Sequence, residues 1–144
     1  MKRTLLIDII AFLLIFLFVY TAVSKSVDFD KFQGQMHNQT LPSWLATMLI
    51  WTLPEIELIV AFLLIFSLTR QAGLYASLLL MAVFTGYIGL VLLHVFSRVP
   101  CSCGGVLKIM GWKVHFFFNV FFLLLSCFGI VLMNRERGAG GDID

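Results

Sequence analysis

The sequence predicts an all-α integral membrane protein, a bundle of four transmembrane helices. Three observations predict it. Of the 144 residues 60% are hydrophobic and only 12% charged, and the mean hydropathy is +1.00, a composition that belongs in a bilayer and not in a soluble core. Four apolar stretches, at about 5–23, 45–68, 72–96 and 114–133, are each long enough to cross a hydrocarbon layer, which takes about 20 helical residues. Short polar segments join them, and together they use residues 1–137 as one transmembrane domain, leaving 138–144 as a flexible tail rich in glycine.

The first stretch follows Lys2 and Arg3 and ends near Ala22-Val23-Ser24, features shared with a cleaved secretory signal. Its apolar run outlasts a signal core and Asp8 interrupts it, so it is expected to be a retained first helix. An even number of spans puts both termini on one side. Lys2, Arg3, Arg70, Arg135 and Arg137 flank the terminal side, against Lys25, Lys31, Arg98, Lys108 and Lys113 on the other. The numbers tie. The terminal-side charges lie directly against span ends and the first helix usually dominates, so both termini are expected in the cytoplasm. The segments 24–43 and 97–113 would then lie outside.

Trp44, Trp51 and Trp112 lie near the outer ends of their helices, where an indole suits the headgroup layer. Gly73, Gly86 and Gly89 in the third span allow close approach of neighbouring backbones. A net charge of +2 implies no polyanionic partner, and no motif for nucleic acid or for cradling phosphate is present. The partner established by composition is the lipid bilayer.

The chemistry centres on Cys101-Ser102-Cys103-Gly104-Gly105. Residues i and i+2 can always bring their Cα atoms within the ~7 Å that a disulfide needs, in a small ring expected to be strained and readily reduced. That property suits a working disulfide better than a structural one, which usually closes a longer loop. The two glycines open an approach for a partner's sulfur, and Arg98 and Lys108 add positive potential that favours thiolate. On the outer side the pair would meet an oxidising compartment. Competing readings are a loop staple, idle thiols, or a Cys2His2 metal site with His94 and His115, although Cys-x-Cys lacks the spacing usual in zinc sites. Cys127, 14 residues beyond Lys113, lies about 20 Å down the fourth helix, out of reach of the pair, and reads as a small buried apolar residue.

Trp112, His115 and Asn119 share one face of the fourth helix, since they are three and four residues apart. His115, one turn in, can act as general acid or base for the thiols or donate to a quinone carbonyl, with Asn119 orienting it. Binding between helices is the plainer role for both residues. In the second span Pro54-Glu55-Ile56-Glu57 puts two carboxylates into the membrane, about 200° apart on the helix. Lys25 is at the depth to pair with either. Glu55 is the candidate for a proton relay or, with His115, Asn119 and Trp112, for contacts to a quinone. Asp8 is expected to snorkel or to bind Thr4 or Arg70.

The Lys25 end of the first helix, Leu53-Pro54-Glu55-Ile56-Glu57, the Cys101-Ser102-Cys103-Gly104-Gly105 loop and the Trp112, His115, Asn119 face together resemble the MauE/DoxX family of small redox-associated membrane proteins. The resemblance spans nearly the whole chain. It implies a four-helix bundle in the bacterial inner membrane and a part in thiol-redox maturation outside the cytoplasm, with Cys101 and Cys103 as exchanging thiols. The expected function is thiol–disulfide exchange with an extracytoplasmic thioredoxin-fold or other Cys-containing protein, aided by His115 and coupled to a quinone. The competing expectation is a non-catalytic subunit or assembly factor that docks an enzyme or secretion partner in a membrane complex.

Overall fold

A computed structural model describes residues 2–96 and 111–140, and these form five helices: α1 (Lys2–Val27), α2 (Phe29–His37), α3 (Ser43–Ile65), α4 (Arg70–Leu92) and α5 (Trp112–Gly140). Helices α1, α3, α4 and α5 are each long and apolar enough to cross a membrane. They correspond to the four expected spans. α1 packs along α3 and α4 along α5, while α3–α4 and α1–α5 contacts close the ring. The interior is a continuous apolar cluster that includes Ile7, Ile10, Leu14 and Phe18 of α1, Val60, Ala61 and Leu64 of α3, Leu74 and Met81 of α4, and Ile130 and Leu132 of α5. Large apolar side chains such as Phe12, Phe16, Phe62, Leu79, Phe117 and Leu124 point outward. That is the arrangement of a helix in lipid, where exposure of an apolar side chain costs nothing.

Both chain ends of the bundle lie together, because the Thr4 hydroxyl donates to Glu136 Oε1 at 2.9 Å. Arg70 organises this terminal end. Its Nη1 meets Asp8 Oδ1 at 2.7 Å, the partner expected for that aspartate, and its Nε donates to the Leu64 carbonyl at 3.2 Å. Thr69 donates its hydroxyl to Leu63 O at 2.8 Å. Two of the carbonyls left free where α3 ends are thereby satisfied.

The opposite, loop end contains an element beyond the four spans. The segment after α1 folds as α2, whose Phe32 and Met36 are buried against Ile50 and Leu53 of α3. The Phe29 and Trp51 rings lie 5.2 Å apart, and Tyr87 of α4 donates its hydroxyl to Gln39 Oε1 at 2.6 Å. Asp30, Lys31 and His37 remain exposed on the other face. α2 is thus an amphipathic piece that closes α3 and α4 over at this end.

Several helix ends differ from expectation, among them those of α4 and α5. α4 stops at Leu92, short of residue 96, because His94 takes a left-handed backbone (φ 55°). The His94 N–H bonds to Val91 O and the Val95 N–H to Leu90 O, a paired C-terminal cap of the Schellman type. α5 runs on through Gly138 to Gly140, where a flexible tail is expected from residue 138. α3 continues through Pro54 as one helix, so the ring is accommodated without a break.

Among the glycines, Gly73 is the tight contact on α4: a Cβ there would stand 3.0 Å from the Leu64 backbone nitrogen. Gly129 on α5 is equally close to Leu74 and Ile10. Gly86, expected to pack, meets nothing within 4 Å, because it lies on the exposed face of its helix.

Candidate functional site

The membrane interior holds one buried ion pair among the described residues. Lys25 Nζ meets Glu57 Oε1 at 2.5 Å, and the Glu57 side chain is 2% exposed. Side chains on a helix lean toward its N-terminus. In antiparallel α1 and α3, Lys25 therefore leans into the bundle from the loop end and Glu57 leans up to meet it. The Phe32 ring of α2 lies 5.9 Å from the ammonium and covers it. The Thr21 hydroxyl, 3.1 Å from Phe18 O, borders the same carboxylate. Glu57 Oε2 has no hydrogen-bond partner.

This settles which of the two glutamates Lys25 holds. Glu55, the expected relay or quinone contact, lies on the exposed face of α3, about 200° round from Glu57. The polar interior is reached by Glu57 instead. A sequence signal for this existed: Leu53, Glu57, Val60, Ala61 and Leu64 follow helical spacing, and all are buried.

His115 lies in the first turn of α5, half-buried, with its backbone N–H bonded to Gly111 O at 3.0 Å. Its Nδ1 is buried without a partner, and Lys25 is near enough for its charge to act on the imidazole. Asn119 is buried one turn deeper, and Trp112 is half-buried at the start of α5. The structure thus puts His115 in the first turn of α5 within range of the Lys25 charge, and Asn119 in the interior on the same helix. Thr21 and Glu57 are the members that sequence reasoning did not assign to this site. Thr21 carries no distinguishing signal, because a lone threonine in an apolar helix is ordinary.

Cys101 and Cys103, with Arg98, Gly104, Gly105 and Lys108, lie outside the described residues. They belong to the chain that joins the loop ends of α4 and α5, between His94 and His115. Both thiols of the Cys2His2 alternative are therefore also outside them; among the described residues, no three His, Cys, Asp or Glu side chains gather in metal-binding range. Cys127 corrects an expectation: it is exposed on the outer face of α5, while its neighbour Ser126 is fully buried. One residue along a helix is a 100° turn, which here separates core from lipid.

Four crossing helices around an apolar core, with a buried charge pair near one end, define a small multi-pass helical membrane protein. Comparison with protein families matches residues 3–132 to the family described as methylamine utilisation protein MauE. The match covers most of the chain, and the protein belongs to the MauE family. No curated protein and no solved structure matches it.

Proposed function

We propose that this protein is a thiol–disulfide exchange protein of the bacterial inner membrane, with both termini in the cytoplasm and the Cys101/Cys103 pair outside. The observation that carries this reading is the Cys-x-Cys-Gly-Gly sequence in the chain between α4 and α5, leading directly into the helix that carries His115. In the reaction, a thiolate of the pair attacks a disulfide of a thioredoxin-fold or other Cys-containing partner. A mixed disulfide forms and one partner thiolate leaves. The second thiolate of the pair then displaces the other, so the pair is oxidised to a disulfide and the partner is reduced to a dithiol; the reverse direction oxidises the partner. No electron carrier is needed for the exchange itself.

His115 is the proposed acid–base group for the thiols. In the direction that oxidises the partner the pair ends as a dithiol, and a quinone is then the proposed acceptor that would take its two electrons and two protons to restore the disulfide, with His115, Asn119 and Trp112 the side chains to hold it. Glu55, on the exposed face, would contact such a molecule only from the lipid side.

Thiol trapping tests the reading. In cells, Cys101→Ser or Cys103→Ser is expected to accumulate a mixed disulfide with a partner or to lose exchange, and the wild-type pair is expected to shift between oxidised and reduced forms. Unchanged maturation of every Cys-containing client in both variants would overturn it. Membership of the MauE family supports a second reading, an accessory subunit or assembly factor whose cysteines only brace a docking loop. Under that reading the same variants lose stability while partner co-purification persists.

A further inference from the structure

We propose that Glu57 is an internal proton-binding site of the bundle, with Lys25 as its balancing charge and His115, in the first turn of α5, as a second titratable group at the loop end. The Glu57 side chain is 2% exposed, and Lys25 occupies only one of its carboxylate oxygens. The other, Oε2, is enclosed with no partner. A buried carboxylate oxygen left empty is costly, and in a bilayer no bulk water can fill the gap. A proton on Oε2 neutralises the carboxyl and makes that oxygen a donor, for which the Thr21 hydroxyl is the nearby acceptor, while the Lys25 side chain, 17% exposed, keeps its ammonium partly solvated. The bordering Thr21 hydroxyl can both accept and donate such a proton.

His115, half-buried, is a second titratable group with an enclosed, unpartnered position, at Nδ1. It stands in the first turn of α5 and feels the Lys25 charge.

The surroundings of Glu57 leave few other candidates. α1 presents Lys25 and Thr21, and α2 presents the Phe32 ring, with Asp30, Lys31 and His37 exposed. On α3 itself Glu55 faces outward. The one charged side chain of α4, Arg70, is engaged at the terminal end by Asp8, and Tyr87 donates to Gln39. On α5 Lys113 is exposed. Asp8 of α1 is half exposed and paired with Arg70.

The test is infrared difference spectroscopy on the full-length protein in lipid vesicles, stepped through pH, with Cys101 and Cys103 both replaced by Ser. Its outcome is then independent of the thiol-exchange reading. The expected result is a carbonyl-stretch band of a protonated carboxylic acid that appears and disappears reversibly with pH, is lost in Glu57→Gln and is kept in Glu55→Gln. In His115→Ala the band is expected to persist, with hydrogen–deuterium exchange slowed by about tenfold or more, which is over 1.4 kcal/mol in barrier. Lys25→Met gives a second arm should Glu57→Gln fail to fold: without the ammonium, the protonated band must dominate at pH values where the parent shows carboxylate. A pH-independent carboxylate signal, a band that survives Glu57→Gln, or a Lys25→Met spectrum identical to the parent would overturn the proposal and leave Glu57 as a fixed ion-pair partner.

Discussion

Lys25 and Glu57 illustrate how a buried pair constrains a membrane bundle. Removing Lys25 leaves Glu57 either charged in a medium that cannot solvate it or protonated at the free-energy cost of binding a proton above its solution range, a loss of about 3 kcal/mol near neutral pH that shrinks as pH falls. Replacing both by neutral side chains of similar size removes attraction and desolvation together. Lys25→Met alone is therefore expected to lower the unfolding free energy in detergent by about 3 kcal/mol, and Lys25→Met with Glu57→Gln to recover most of that loss; a double-mutant cycle measures it. His94 offers the opposite case. Its left-handed backbone suits glycine, and an L-residue there is strained by about 1 kcal/mol. His94→Gly should raise stability by about that amount, read as an increase in Tm.

At the scale of elements, close approach is set by two glycines on adjacent helices. Gly73→Ala puts a methyl group against the backbone of Leu64, which cannot swing aside, so α3 and α4 must separate; a loss of about 1 to 3 kcal/mol is expected. Gly86→Ala meets open space and gains helix propensity, so it should be neutral or stabilising by up to about 1 kcal/mol. Chemical unfolding of both variants in one detergent decides between them. The spacing of small residues in the sequence does not separate these two glycines. Only the facing helix distinguishes them, because closeness is a property of the pair and not of either strand of sequence. The same holds for α2: its polar and apolar residues alternate too briefly to announce a helix, and it is held by Phe32 and Met36 docking on α3.

For the whole molecule, the tied Lys/Arg flanks make orientation a matter for direct measurement. With the native cysteines replaced, Gln33→Cys on the exposed face of α2 should react with a membrane-impermeant maleimide added to intact cells, and Arg135→Cys on α5 should not. The reverse pattern would put the Cys101/Cys103 segment in the cytoplasm and end the exchange reading. The sequence by itself determined the four spans and the shared location of both termini, because burial of about 20 apolar residues in lipid is a local property of each segment. It also narrowed the partners of Asp8 to Thr4 or Arg70 and of Lys25 to Glu55 or Glu57, since charges in a membrane have few places to go, and the structure chose Arg70 and Glu57. Tertiary structure alone decided that Glu57 and not Glu55 faces inward, that Cys127 faces lipid, and that Gly129 and not Gly86 is a contact. Each of these turns on the rotation of a helix about its own axis, and in a helix apolar on nearly every side that rotation is set by its neighbours.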